Sequence, residues 1–357
     1  MIMTQYLGRG GLGGVVALLL AGCGGTVDLR ADDGTGGSGT LAGSGGSSAA
    51  GSAAIGGSTG SKPTGGGPAP TEGALAYDAN PDALGRAVYV SSFAEPNCIE
   101  RLTDPTVQAK QPAFSADGAY LTYAAQVDGL YQIHVRDLAS GDVAQVTSEP
   151  TGATSPAFSP DGETIAFVTG DPETIINRAP GSGNLMLLDR EHLEVSLLAE
   201  AEGLGCCVAQ YLSPVFNGPD EILVGTRASI LGIDLLTGHH RDLVPFTGRI
   251  PSPQDPSPAP DGIRYAFSDN CGSPSLFIGR VDGSTGDTCD GATGVGAQSM
   301  VSVDWGPSGF LAAEIHGAPH GVVLLTDDMF VTTPFAAPGA RNPAWAPAGA
   351  EVPIACD

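Results

Sequence analysis

The residues able to do chemistry in this chain are few, and their spacing is poor for catalysis. Six histidines are present. His316 and His320 stand four apart with Glu314 just ahead, a spacing that on a helix would aim both imidazoles at one zinc ion. Gly317-Ala318-Pro319 lies between them and disfavours that helix, because proline lacks an N–H and clashes with the preceding turn. His192 and the pair His239-His240 fall near turns, and His134 falls in a strand-like run. Asp282, Asp287 and Asp290 lie in a Gly-rich loop. Their spacing does not match an EF-hand, and acidic turns of this kind are commonly just solvated. Gly56–Gly60 reads Gly-x-Ser-x-Gly, but a hydrolase elbow needs a strand before it and a helix after it. No nucleophile–base pair emerges by spacing. The expectation is no metal, no cofactor and no enzyme.

Cysteine chemistry says more about location. Arg9 precedes the apolar run Val15–Leu20, which is too short to span a bilayer. The run ends in Leu20-Ala21-Gly22-Cys23, which resembles the lipobox of bacterial lipoproteins. The resemblance implies cleavage before Cys23, lipidation of its thiol and, with Gly24 rather than Asp following, transfer to the outer membrane. Several acyl chains on one residue make a stable anchor at about 0.8 kcal/mol per buried CH₂. The n-region departs from the pattern in carrying a single Arg.

Six further cysteines remain: Cys98, Cys206, Cys207, Cys271, Cys289 and Cys356. An even number in an exported chain favours disulfides over metal. Cys271 and Cys289 fall in one repeat and are the favoured pair. Cys206-Cys207 can form a strained vicinal disulfide. Subtraction leaves Cys98 with Cys356, a pairing that the expected strand order places about 17 Å apart and so disfavours.

The elements that must carry these residues begin after a long low-complexity stretch. From Gly24 to about Thr71 the chain is Gly, Ser, Thr and Ala, which cannot bury a core. The expected organisation is a signal peptide at 1–22, a lipidated Cys and disordered linker at 23–75, and a folded domain at 76–357. A coil of ~50 residues would reach about 40 Å. The formal net charge is -24 and only Lys62 and Lys110 are lysines. Such a chain repels phosphate backbones, so nucleic acid is excluded as a partner.

A single stretch repeats within the folded domain. Ser155–Phe167 reads Ser-Pro-Ala-Phe-Ser-Pro-Asp-Gly-Glu-Thr-Ile-Ala-Phe, a strand, a Pro-Asp-Gly turn and a second strand. Versions start at Gln111, Ser213 and Asp255, with degenerate ones at Ser302 and Asn342. Their second residues, 112, 156, 214, 256, 303 and 343, are separated by 44, 58, 42, 47 and 40. Periods near 40–45 holding four short strands, A to D, are the signature of propeller blades. Phe114, Phe158, Phe216, Trp305 and Trp345 recur at one place in strand A and are expected between blades. Five full periods plus a composite blade make six. In the composite, Arg86–Ser91 and Cys98–Thr103 are expected to give C and D, and the C-terminus A and B.

The Pro-x-Phe-Ser-Pro-Asp-Gly-x-x-Ile-Ala-Phe repeat resembles the WD-repeat-like blades of the TolB C-terminal propeller, over Arg86 to Asp357. The resemblance implies an all-β, six-bladed propeller of four-stranded blades working as a protein-interaction scaffold. TolB has a sizeable α/β domain ahead of its propeller, and here a linker occupies that place.

Strand order puts A–B turns on one face of the disc and B–C loops with D-to-A links on the other. The longest excursions, Gly170–Gly183, Ala201–Tyr211, Asp269–Pro274 and Ile315–His320, all fall on the second face. Binding sites usually sit where long loops cluster on a rigid scaffold. The candidate binding residues there are Asp171, Glu173, Arg178, Glu202, Tyr211, Asp269, Asn270, His316 and His320. The expected function is a monomeric, non-enzymatic, envelope-anchored propeller binding a protein or cell-envelope glycan through that face. The alternative is a propeller-type hydrolase or lyase with its site at the channel mouth.

Overall fold

The structure is a computed structural model that describes residues 70–95, 98–170, 183–201, 203–204, 207–208, 211–226, 229–244, 254–270, 274–283, 299–307, 309–316, 320–326, 331–334 and 339–355. Six antiparallel sheets follow one another as blades, joining into the expected six-bladed β-propeller. The first blade runs Lys110–Phe114, Tyr120–Val127, Leu130–Asp137 and Val143–Gln145. Blade two runs Ala153–Phe158, Thr164–Thr169, Leu185–Asp189 and Glu194–Ala199. Blade three runs Leu212–Phe216, Glu221–Gly225, Ile230–Asp234 and His240–Asp242. Blade four shows three strands among the described residues: Gln254–Pro258, Arg264–Asn270 and Pro274–Arg280. Blade five runs Ser299–Trp305, Phe310–His316, Gly321–Thr326 and Val331–Pro334.

The composite blade corrects one expectation. Its strand A is C-terminal, Arg341–Trp345, but its strand B is Ala74–Ala79, and C and D are Ala87–Ser92 and Ile99–Arg101. The ring closes by three N-terminal strands and one C-terminal strand. The segment 351–355, expected as strand B, is not a strand. Its Val352 and Ile354 instead pack on the core between the composite blade and the first blade. Ala74-Leu75-Ala76-Tyr77 is apolar enough to be buried on both faces of a sheet, and every residue of Ala74–Ala79 is buried. A central strand needs that property, and the more exposed Glu351–Ala355 lacks it.

Each blade's hairpin is built as its sequence demands. In blade two, Ser159 Oγ donates to Asp161 Oδ1 at 2.5 Å, Asp161 accepts Glu163 N at 3.0 Å, and Gly162 N bonds Ser159 O at 2.9 Å. Gly162 takes φ +74°, which costs glycine nothing. The first blade repeats the same bonds around Ser115, Asp117 and Gly118.

The core lies between blades. Ile133 and Val135 of the first blade pack with Phe158, Ile165 and Phe167 of blade two. Ala166 and Leu185 meet Phe216 and Ile222. Leu223 and Ile230 meet Tyr265, Phe267 and Phe277. Leu276 meets Trp305, Leu311 and Ile315. Val322 and Leu324 meet Leu75, Tyr77 and Trp345. Val88 and Val90 meet Leu121 and Tyr123, with Phe114 packed alongside. The recurring strand-A aromatics therefore sit in the inter-blade layers, as their repetition suggested.

Candidate functional site at the hub of the ring

The strands A of all six blades line a central cavity of about 490 Å³. One residue near the start of each makes its inner ring: Gln111, Ser155, Ser213, Asp255, Ser302 and Asn342. All six adopt positive φ, between 46° and 56°. That region is costly for a residue with a Cβ, on the order of 1–3 kcal/mol each. At each of these places the A–B register shifts, the mark of a β-bulge.

The bulges free backbone N–H groups from the ladder, and polar side chains of neighbouring blades accept them. Ser155 N donates to Gln111 Oε1 at 3.0 Å and Ser302 N to Asp255 Oδ2 at 3.1 Å. Gln111 N donates to Asp78 Oδ1 at 3.0 Å, and Asn342 Nδ2 donates to the same oxygen at 2.7 Å. Ser213 Oγ donates to Asp255 Oδ1, and Ser302 Oγ donates to Asn342 Oδ1 at 3.2 Å. A hydrogen-bonded hub thus links neighbouring blades around the axis. Its break, among the described residues, falls between Ser155 and Ser213. Ser155 Oγ is buried there without a partner.

Carboxylates dominate the hub. Asp78 is fully buried and paired with Arg86 Nε at 3.0 Å. Glu314, only 4% exposed, accepts Asn342 N at 3.4 Å and faces Arg341 Nε at 3.8 Å. Burial pushes Glu314 up to about 7, with Asp78 and Asp255 adding to the rise and Arg341 opposing it. Asp304 accepts Ser257 Oγ at 2.9 Å and Trp345 N at 2.7 Å, and burial pushes it up to about 6. Lys110 is fully buried with its ammonium 4.2 Å from the centre of the Tyr131 ring.

Outward from the hub the channel wall is proline: Pro112, Pro156, Pro214, Pro256 and Pro343. The lining continues to Pro260, Pro307 and Pro347, which belong to A–B turns. The cavity therefore reaches the A–B face, which the loop lengths had marked as the quiet one.

The expected binding residues do not converge among the described residues. Asp171, Glu173, Arg178 and Glu202 lie outside them. Tyr211 is half-buried and packs on the core between blades two and three. Asp269 and Asn270 end strand B of blade four, paired in register with Ser275 and Pro274. His316 ends strand B of blade five opposite Ser299, and His320 is exposed just ahead of strand C. At two of the expected long excursions the ladder runs on into the stretch. Asn270 pairs with Pro274 and Ile315 with Gly321, so both are hairpin connections. Glu314 turns to Asn342 and Arg341, and among the described residues no group of His, Cys, Asp or Glu is arranged to hold a metal ion. Cys206, Cys271, Cys289 and Cys356 lie outside the described residues, as does Cys23, the expected lipid carrier. Cys207 falls on a short strand, Cys207–Val208.

The inner ring was within reach of the sequence. Each repeat begins with a polar residue, and in all but Ser302 a proline follows it. That dipeptide fixed the repeat's phase, but its side chain's destination is set by the neighbouring blade.

No family model matches the chain. Over 69 residues, 19% of this chain, it is 36% identical to the Tol-Pal system protein TolB of Francisella tularensis subsp. mediasiatica. That stretch spans only 15% of the relative's length. Among solved structures, TolB from Acinetobacter baumannii superposes with a TM-score of 0.59 at 16% identity, covering 78% of this chain and 68% of that one. Kuenenia stuttgartiensis hydrazine synthase superposes with a TM-score of 0.61 at 13% identity, covering 81% and 48%. At such identities the structural likeness speaks for fold alone. The six blades make the described domain a six-bladed β-propeller, similar in fold to TolB and, over that short stretch, similar to it in sequence.

Proposed function

We propose that this chain is a non-enzymatic scaffold of the bacterial cell envelope, tethered by a lipid on Cys23, that holds a protein partner at its channel mouth. The observation that carries the reading is the hub cavity. It is preformed, walled by prolines and open toward the A–B face, and rigid concave sites of this kind lose little entropy on binding. A TolB-like propeller suits a scaffold role. The hydrolase or lyase alternative would draw on Asp304 and Glu314 as acid and base. Their oxygens already receive Ser257, Trp345 and Asn342, which supports binding over chemistry.

Site-specific photo-crosslinking in cells tests this. A crosslinker at Ala348, exposed on the A–B face, is expected to capture one protein, and Ala113→Trp in the channel wall to abolish capture. Capture from Tyr211 alone would move the site to the long-loop face. Capture of glycan from Ala348 would change the partner class, and silence at both positions would sink the scaffold reading. For the anchor, Cys23→Ser is expected to abolish fatty-acid labelling and shift the protein from the membrane to the soluble fraction.

A further inference from the structure

The composite blade joins stretches of chain 240 or more residues apart, and the tail beyond its strand A follows a defined path. After Trp345, Ala346 N bonds Ala74 O at 2.9 Å and Ala350 N bonds Pro347 O at 3.2 Å, making a turn. This turn lies against the first blade, where a Cβ on Gly118 would stand 2.4 Å from Ala350 Cβ. Val352 and Ile354 then pack on the core below. Finally Ala355 N donates to Glu100 Oε2 at 2.7 Å. Glu100 lies in strand D of the composite blade, two residues from Cys98. Cys98 is buried, with its carbonyl accepting Ser92 N, and is disulfide-bonded. Every other cysteine has its side chain outside the described residues.

We propose that Cys98 is bonded to Cys356, making a covalent clasp that closes the propeller. The objection from the expected strand order falls, because it assumed the tail to be strand B. In the structure the tail runs to strand D, and the residue before Cys356 touches the residue two after Cys98. The clasp forms by thiol–disulfide exchange with a disulfide-carrying oxidase of the export compartment. One thiolate attacks the oxidase disulfide, the second displaces the mixed disulfide, and the oxidase leaves as a dithiol carrying the two electrons. The bond secures a ring that is otherwise closed by one strand, whose ladder to Ala74–Ala79 is interrupted by a bulge. This inference does not depend on what the channel binds.

Trypsin separates the two cysteines into peptides of one cysteine each, 87–101 and 342–357. A non-reducing digest of the full exported chain is expected to contain these two joined, and reduction to separate them. Recovery of 87–101 joined to any other peptide, or with a free thiol, overturns the proposal. The wild-type digest needs no variant to fold. Reduction is further expected to lower the unfolding midpoint, on the order of 5–10 °C, with Cys356→Ser already at the reduced value. A midpoint unmoved by reduction would show that the bond does not clasp the ring.

Discussion

Blade two and the composite blade share a four-stranded plan and are held by different means. In blade two, all four strands and the hairpin turn come from one stretch of about 50 residues. Its turn bonds are local, between residues two to five apart. The composite blade must bring Arg341–Trp345 beside Ala74–Ala79. Local bonds cannot do that, and buried charge and long-range polar contacts are used instead. Asn342 reaches Asp78, Trp345 N reaches Asp304, and Arg341 faces Glu314. Repeated sequence thus makes blades from local bonds, whereas closure concentrates the energetic risk in a few ionisable groups.

The sharpest challenge to this contrast is Asp78→Ala. It removes the ion pair with Arg86 and the carboxylate that accepts from Gln111 N and Asn342 Nδ2, at a position where Asp78 is fully buried. Losing one member of such a pair costs about 3–5 kcal/mol, read as a lowered urea midpoint. A loss no larger than that of a turn mutation in blade two would mean that closure does not depend on the hub.

The second test uses pH. Glu314 and Asp304 are held above the ordinary carboxylate range, at about 7 and about 6, so they bind protons more tightly when folded. The stabilisation this gives is complete below about pH 4. It is lost as pH rises through about 6 for Asp304 and about 7 for Glu314. The unfolding free energy is therefore expected to be higher at pH 5 than at pH 8, by up to about 3 kcal/mol from Glu314. Glu314→Gln is expected to remove most of that difference. The exposed turn aspartates of the blades, such as Asp161, are lowered by their hydrogen bonds, so they destabilise only on stronger acidification. A flat profile between pH 5 and 8 would count against the buried-carboxylate account of closure.

Gly306→Ala probes the packing side of closure. A Cβ there would stand 2.7 Å from the Trp345 indole, which also stacks on Phe93 at 5.0 Å. Overpacking of this kind costs about 1–3 kcal/mol, measured by thermal or chemical unfolding. The smallest effect is expected in blade two. Gly162→Ala makes only an ordinary contact, with Arg190 Nη1 at 3.8 Å, and is penalised only for φ +74°. That is about 1 kcal/mol, visible in equilibrium unfolding and without effect on channel crosslinking.

What could be read from the chain followed from what repeats. The Pro-Asp-Gly turn gave hairpin positions, its spacing gave the blades, and the recurrent aromatic gave the inter-blade layers. Closure was misread at one strand because Glu351–Ala355 has alternating apolar residues, and because Ala74–Ala79 sits beside low-complexity sequence that hid it. The hub was missed although its six residues open every repeat. A Gln, Ser, Asp or Asn before proline reads as turn chemistry, and nothing local says that its side chain will reach the next blade. Loop length pointed to one face whereas the described cavity opens to the other, and Asn270 and Ile315 continue their ladders into two of the supposed loops.

A repeated all-β unit, the number of its copies and its aromatic core were already written in the order of residues, because turn residues and strand alternation act over a dozen positions. Which strand closes the ring, which carboxylates are buried and which face opens to the channel emerged only with the folded ring. Those depend on groups 40 to more than 260 residues apart, such as Asp78 and Asn342, whose meeting is set by the closing of the circle.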